Sequence, residues 1–186
     1  GHYTYTDVLG PRLGDVPIVI PLMWFALTYA GYVIANLIVW QSPVDGVRGL
    51  GNTVMLSFLA AMIVTAFDLG ADPYMVYTLK AWIMTKTDGA WFGETVQGFF
   101  GWVFVSFVII LGFRLSVRSL AMQPSSPFLR HHALVPLALY GSNMVFQMML
   151  GNPVEIRSIA PFAMGIPLLC ALAGYQRWVA PAKATV

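Results

Sequence analysis

Charged side chains are scarce in this chain. Asp, Glu, Lys and Arg make up 10% of its 186 residues, and apolar ones 58%. A soluble domain carries about 25% and roughly 45–50%, respectively. A chain this short cannot hide so much apolar surface from water, because small domains have a high ratio of surface to volume. A water-soluble fold is therefore set aside. Cysteine is nearly absent as well. Cys170 is the single one, so there is no internal disulfide and no Cys spacing of the metal-binding kind. A formal charge of +2 offers nucleic acid no electrostatic footprint. Also missing are a Gly-rich phosphate loop, an H-E-x-x-H helix, a G-x-S-x-G elbow and a His-rich iron motif. Their absence counts against nucleotide-dependent, hydrolase and di-iron readings. His131 and His132 are adjacent with no third ligand in view, so no metal site is read there.

What the chain has instead is long apolar runs. Spans are expected near residues 16–40, 52–69, 94–113, 133–150 and 158–175, each close to the length of about 20 residues that crosses a bilayer. The fold class is all-α: a polytopic membrane helix bundle of about five transmembrane helices plus a short interfacial helix, one integral membrane domain over residues 1–186. Residues 1–15 read as an interfacial lead-in, where Tyr rings favour the headgroup level. Asp72-Pro73 is expected to end or break the second helix. Residues 74–84, too short to cross and carrying Lys80, would then form the short interfacial or re-entrant helix. Ser57, Ala60, Ala61 and Thr65 are small and let a neighbouring backbone approach. Residues 114–132 read as a basic loop with Arg114, Arg118 and Arg130. The start at Gly1, without the n-region and h-region of a signal peptide, implies a processed chain or a fragment with helices upstream.

Five crossings place alternate loops on opposite sides. One side collects Arg48, Arg114, Arg118, Arg130, Arg177 and Lys183 with Asp45; the other has Arg12, Lys80, Lys86 and Arg157. The positive-inside bias puts the first side in the cytoplasm. Asp7, Asp15, Asp68, Asp72, Asp88, Glu94 and Glu155 all fall on the far side, which suggests an acidic vestibule there. A prokaryotic cell membrane is the expected location.

Residues 66–102 concentrate the chemistry. They hold four of the eight carboxylates, namely Asp68, Asp72, Asp88 and Glu94, together with Trp82, Trp91, Phe92, Phe99 and Trp102. Asp68 and Asp72 share one helical face if the helix persists that far. An ionisable group at the depth of Asp68 is costly and suggests function. Two carboxyls in a poorly solvated site cannot both ionise easily, so one is suited to act as a general acid. Glu94 is a candidate third carboxyl of the same pocket. The bland alternatives are that Asp68 and Asp72 cap helix ends at the water interface, and that Glu94 serves a helix N-terminus. The rings would then be an aromatic belt, and Asn36 an interhelical hydrogen-bond partner. The functional alternative has rings facing inward to stabilise a cation and Asn36 touching substrate. The ten methionines are pliable packing that suits a long flexible apolar ligand.

The segments TAFDLGADPYMV (65–76) and DGAWFGETVQGFFGW (88–102), with YTYTDVLGPRLGDVPIVIPLMWF (3–25) and YAGYVIAN (29–36), resemble the CruF-type carotenoid biosynthesis proteins. That family includes carotenoid 1,2-hydratases and bisanhydrobacterioruberin hydratases. The resemblance implies an integral membrane enzyme that adds water to the terminal C=C of an acyclic carotenoid end group, with no cofactor. Asp68, Asp72 and Glu94 would be the catalytic residues, with Asp68 or Asp72 the acid and Asp72 or Glu94 the carboxylate that orients or deprotonates the attacking water. Trp82, Trp91, Phe92, Phe99, Trp102 and Asn36 would bind substrate. The expected partners are the lipid bilayer, a long apolar polyene and other carotenoid enzymes. Two other readings compete. An intramembrane Mg-dependent prenyltransferase would use aspartates to hold Mg²⁺ and a diphosphate, but needs a second Asp-rich cluster that the chain lacks. A non-catalytic carotenoid-binding or transport protein would hold pigment unchanged.

Overall fold

A computed structural model describes residues 3–44, 49–85, 87–118, 120 and 126–180. Asp45, Arg48, Lys86 and Lys183, used above to orient the chain, lie outside the described residues. The chain opens on strand β1 (Tyr3–Tyr5), a 3-10 turn at Asp7–Leu9, and the short strands β2 (Arg12–Leu13) and β3 (Val16–Pro17), which pair antiparallel. Helices α1 (Val19–Trp40) and α2 (Leu50–Tyr74) follow, the latter prolonged by a π-helical turn at Met75–Leu79. Strand β4 (Trp82–Met84) precedes α3 (Val96–Val117). The remainder is helical: α4 (Pro127–His132), α5 (Leu134–Leu150), α6 (Glu155–Ala163) and α7 (Gly165–Val179). Among the described residues, five helical stretches are long and apolar enough to cross a membrane: Val19–Trp40, Leu50–Leu79, Val96–Val117, Pro127–Leu150 and Glu155–Val179. The protein is a multi-pass helical bundle.

The spans differ from the expected limits for local reasons. The second helix does not end at Asp72-Pro73. Proline removes the N–H that would bond the carbonyl four residues back, here that of Leu69. The indole N–H of Trp91 donates to that carbonyl at 2.7 Å, so the helix runs on through Pro73 into the π-helical turn. No separate helix occupies residues 74–84. The chain leaves the π-helical turn at Lys80 with φ 52, and Trp82–Met84 pair instead with Tyr3–Tyr5 in the register Tyr3↔Met84, Thr4↔Ile83, Tyr5↔Trp82. The third helix starts at Val96 because Thr95 is its N-cap, its hydroxyl accepting from the Gly98 N–H at 3.2 Å, a preferred arrangement for Thr. It continues past Phe113 and takes in Arg114. That guanidinium is buried, its Cζ 4.4 Å from the centroid of the Tyr32 ring, and the aromatic face supplies the electrostatic partner a cation needs away from water. Arg114 is thus a helix-packing residue, not part of a loop.

The core lies where α1 and α2 meet, with α5 and α7 behind them. Small residues set the approach. Gly31 of α1 sits on Ala60 and Val64 of α2, and Gly174 of α7 sits against the Leu37 carbonyl of α1. Cross-helix hydrogen bonds go to backbone carbonyls: Tyr140 donates to Ile63 at 2.8 Å and Gln147 to Phe67 at 2.9 Å. Connectivity gathers the lead-in, residues 80–95 and the α5–α6 turn at one end of the bundle. Asp7, Asp15, Asp68, Asp72, Asp88, Glu94 and Glu155 are all at or near that end.

A Gly174→Ala substitution puts a methyl group onto backbone, which no rotamer change relieves. It is expected to cost about 1–3 kcal/mol, the usual range for overpacking, seen as a lower midpoint in detergent unfolding.

Candidate active site

The acid-rich end holds a cleft of about 590 Å³. Ile20, Met23 and Trp24 of α1 form one wall; Gly98, Gly101, Trp102 and Val105 of α3 form the other. Asp72 and Glu94 provide its polar floor, and Tyr3, Tyr5 and Trp82 close its outer side.

Each of these is placed by a local cause. The lead-in is strapped across the bundle end by β1–β4 pairing and by the Thr6 hydroxyl, which donates to the Lys80 carbonyl at 2.7 Å. Tyr3 and Tyr5 then pack on Trp82 with ring centroids 6.1 and 6.0 Å away. Their hydroxyls meet at 3.1 Å. Burial first, and the Tyr3 hydroxyl second, push the Tyr5 phenol above its ordinary range, so it remains a neutral proton donor at the cleft wall. Trp82 turns its indole N–H inward and donates to Asp72 Oδ1 at 3.0 Å.

Residues 91–94 form a tight hairpin. Trp91 and Glu94 exchange backbone hydrogen bonds, while Phe92 and Gly93 both have positive φ, 48° and 86°. A two-residue turn of that kind matches the twist of its flanking chain, and Phe92 carries the strain of a left-handed non-glycine residue. Tyr77 donates its hydroxyl to the Phe92 carbonyl at 2.8 Å and holds the hairpin on the π-helical turn. Glu94 emerges pointing inward, its carboxyl laid against Gly98, where a Cβ would occupy the position of Oε1.

Asp68, Asp72 and Glu94 are 1%, 5% and 9% exposed, and lie close enough to feel one another's charge. Asp68 sits one turn below Asp72 on α2, off the cleft surface, and both its carboxylate oxygens lack a hydrogen-bond partner among the described residues. Asp88, unlike the three, is exposed.

The aromatic candidates divide. Trp82 and Trp102 line the cleft. Trp91 does not: its indole is used on the Leu69 carbonyl, with Phe92 edge-on at 4.9 Å. Phe99 is half-buried on α3 and is not part of the lining. Asn36 is fully buried toward the other end of α1, donating to the Pro43 carbonyl at 3.3 Å. At 1.5 Å rise per residue it is about 24 Å from Ile20. Sequence reasoning missed Trp24, which stacks on Trp102 with centroids 4.4 Å apart, and missed the Tyr3 and Tyr5 wall. The alternation Tyr3-Thr4-Tyr5 is a strand signal that could have found the latter. Among the described residues no group of three His, Cys, Asp or Glu side chains has metal-holding geometry.

These features define the class first: a multi-pass membrane protein with an acid-floored, indole-walled cleft. Within that class the chain belongs to the carotenoid biosynthesis protein family, whose pattern matches residues 1–172. It is similar to the bisanhydrobacterioruberin hydratase of Haloarcula japonica, 33% identical over 115 residues, which are 61% of this chain and 36% of that protein. The match thus spans about a third of the curated relative's length. No solved structure matches.

Replacing Trp91 by Phe removes the indole donor from the part-buried Leu69 carbonyl. A loss of about 0.5–1.5 kcal/mol is expected, the net contribution of a typical hydrogen bond, measured as a lower unfolding midpoint relative to the unsubstituted protein.

Proposed function

We propose that this chain carries the hydration site of a carotenoid hydratase, adding water to the terminal C=C of an acyclic polyene. The observation that carries the reading is the set of three buried carboxyls beneath a cleft walled by indoles. Acid groups crowded in a low-dielectric site cannot all be ionised, so the set retains a proton to give. The family and the hydratase relative, 33% identical over 115 residues, support the substrate class.

The chemistry needs only acid, base and water. A carboxyl of the Asp72–Glu94 pair delivers its proton to the less substituted alkene carbon. Positive charge develops on the carbon bearing two methyl groups. The faces of Trp24 and Trp102 lie beside the cleft and stabilise that charge through their quadrupoles. Water adds to the cation and gives up a proton to the second carboxylate of the pair, which resets the site with acid and base exchanged. One H and one OH have been added across the double bond, and no electrons are transferred. Trp82 holds Asp72 in place through its indole N–H. Asp68, off the cleft surface, acts through Asp72. Water reaches the site from the acidic end of the bundle, and the polyene from the bilayer. The site operates in a prokaryotic cell membrane.

The test is pigment analysis of the full-length protein in a lycopene-producing bacterium, looking for a mass gain of one water. Asp72→Asn and Glu94→Gln are each expected to lower hydration about 10²–10⁴-fold, the range typical of a general acid or base. Asp68→Asn is expected to lower hydration less than either of these, since Asp68 lies off the cleft surface. Undiminished hydration by both Asp72→Asn and Glu94→Gln would remove the reading.

A further inference from the structure

The reactive cleft is one end of a longer feature. Below it, on the same two helices, lies a second hollow of about 100 Å³, lined by Phe25, Thr28, Tyr29 and Tyr32 of α1 and by Ile109 and Phe113 of α3. Both hollows therefore occupy the seam between α1 and α3. The seam is open because α3 packs chiefly on α2 and meets α1 over a short stretch. The stacked Trp24–Trp102 pair lines the upper cleft and, on both helices, precedes the residues of the lower hollow in the chain. At the level of that pair Gly101 leaves open space, for a Cβ added there would meet nothing within 4 Å. The lower end is closed by the edge-to-face contact of Tyr32 with Phe113, centroids 5.2 Å apart, and by the Arg114 guanidinium over Tyr32.

We infer that the α1–α3 seam is the track for the polyene tail. The end group lies on Asp72 and Glu94, the conjugated chain passes the Trp24–Trp102 pair on its Gly101 side, and the next segment fills the Phe25–Phe113 hollow.

The dimensions and chemistry fit one occupant. From Ile20 to Tyr32 the seam is about 18 Å long by helical rise, and from Gly98 to Phe113 about 22 Å. That suits a rod-like ligand far longer than its reacting end. The upper hollow is acid-floored and the lower almost wholly apolar, matching a molecule with one reactive tip and a uniform hydrocarbon body. Phe25 and Ile109 are exposed on helices long and apolar enough to cross a membrane, so the rod slides in laterally and needs no tunnel. The Tyr32–Phe113 stop sets how far it advances. This track rests on the hydration reading for the identity of the reactive end, but it is tested by binding rather than by turnover.

The experiment measures polyene retained per protein after purification of the full-length protein from a lycopene-producing bacterium. Ile109→Trp fills the lower hollow and Ile109→Phe fills it less. Ile166→Trp adds the same bulk on an exposed face of α7, away from the seam. The unsubstituted protein and Ile166→Trp are expected to retain pigment equally. Ile109→Trp should retain about tenfold less, as expected for overpacking a filled site, with Ile109→Phe between. If Ile109→Trp loses its helical circular dichroism, the Ile109→Phe result decides. Equal retention by Ile109→Phe and the unsubstituted protein, equal loss in Ile166→Trp, or no pigment on the unsubstituted protein each overturns the track and leaves the seam to lipid acyl chains. Pigment retained along the seam but never hydrated would uphold the track and remove the hydration reading.

Discussion

The acid-rich end of this protein depends on one backbone carbonyl. Pro73 deprives the part-buried Leu69 oxygen of its helical donor, and a carbonyl shielded from water favours another donor. The Trp91 indole meets that need from 22 residues further on. To reach it, the chain after β4 must fold back over α2 and reverse at Phe92 and Gly93. The reversal brings Glu94 down beside Asp72, and Thr95 starts α3 against the same face. A proline that would ordinarily terminate a helix thus dictates where the third carboxyl goes.

The cluster works against stability. Carboxyls inside a membrane protein are expensive and persist where they face a partner or a cavity. Asp72 has both, through Trp82 and the cleft. Glu94 has the cleft and the small surface of Gly98. Asp68 has neither, and its two oxygens are buried without a partner among the described residues. Such an arrangement is sustained by the surrounding scaffold. The Gly31 and Gly174 contacts bring backbones together, and Tyr140 and Gln147 tie α5 to carbonyls of α2. The rigidity of α2 is therefore shared by the bundle core and by the acids at its end.

The lead-in contributes more than an interfacial anchor. By pairing with β4 it fixes Trp82, and Trp82 in turn fixes Asp72. Tyr3 and Tyr5 also form the outer wall of the cleft. A stretch that is polar and aromatic in sequence, and looks like headgroup-level decoration, is thereby built into the site through backbone hydrogen bonds that side-chain pattern alone does not announce.

Length and apolarity of the runs were enough to establish the helical membrane bundle and its five crossings, because hydrocarbon solvent permits little else to a chain of this composition. The identity and spacing of Asp68 and Asp72 were likewise legible, since their shared face follows from helical period. What composition could not decide was the use of each aromatic ring. Trp91 and Trp82 look alike in sequence, yet one serves a stranded carbonyl and the other a carboxylate. Trp24 gains its importance only from Trp102 across the seam. The burial of Arg114 in α3 and the passage of α2 through Pro73 were also hidden. Each depends on a partner distant in the chain, and long-range pairing is settled by the packing of the whole bundle, not by any local preference.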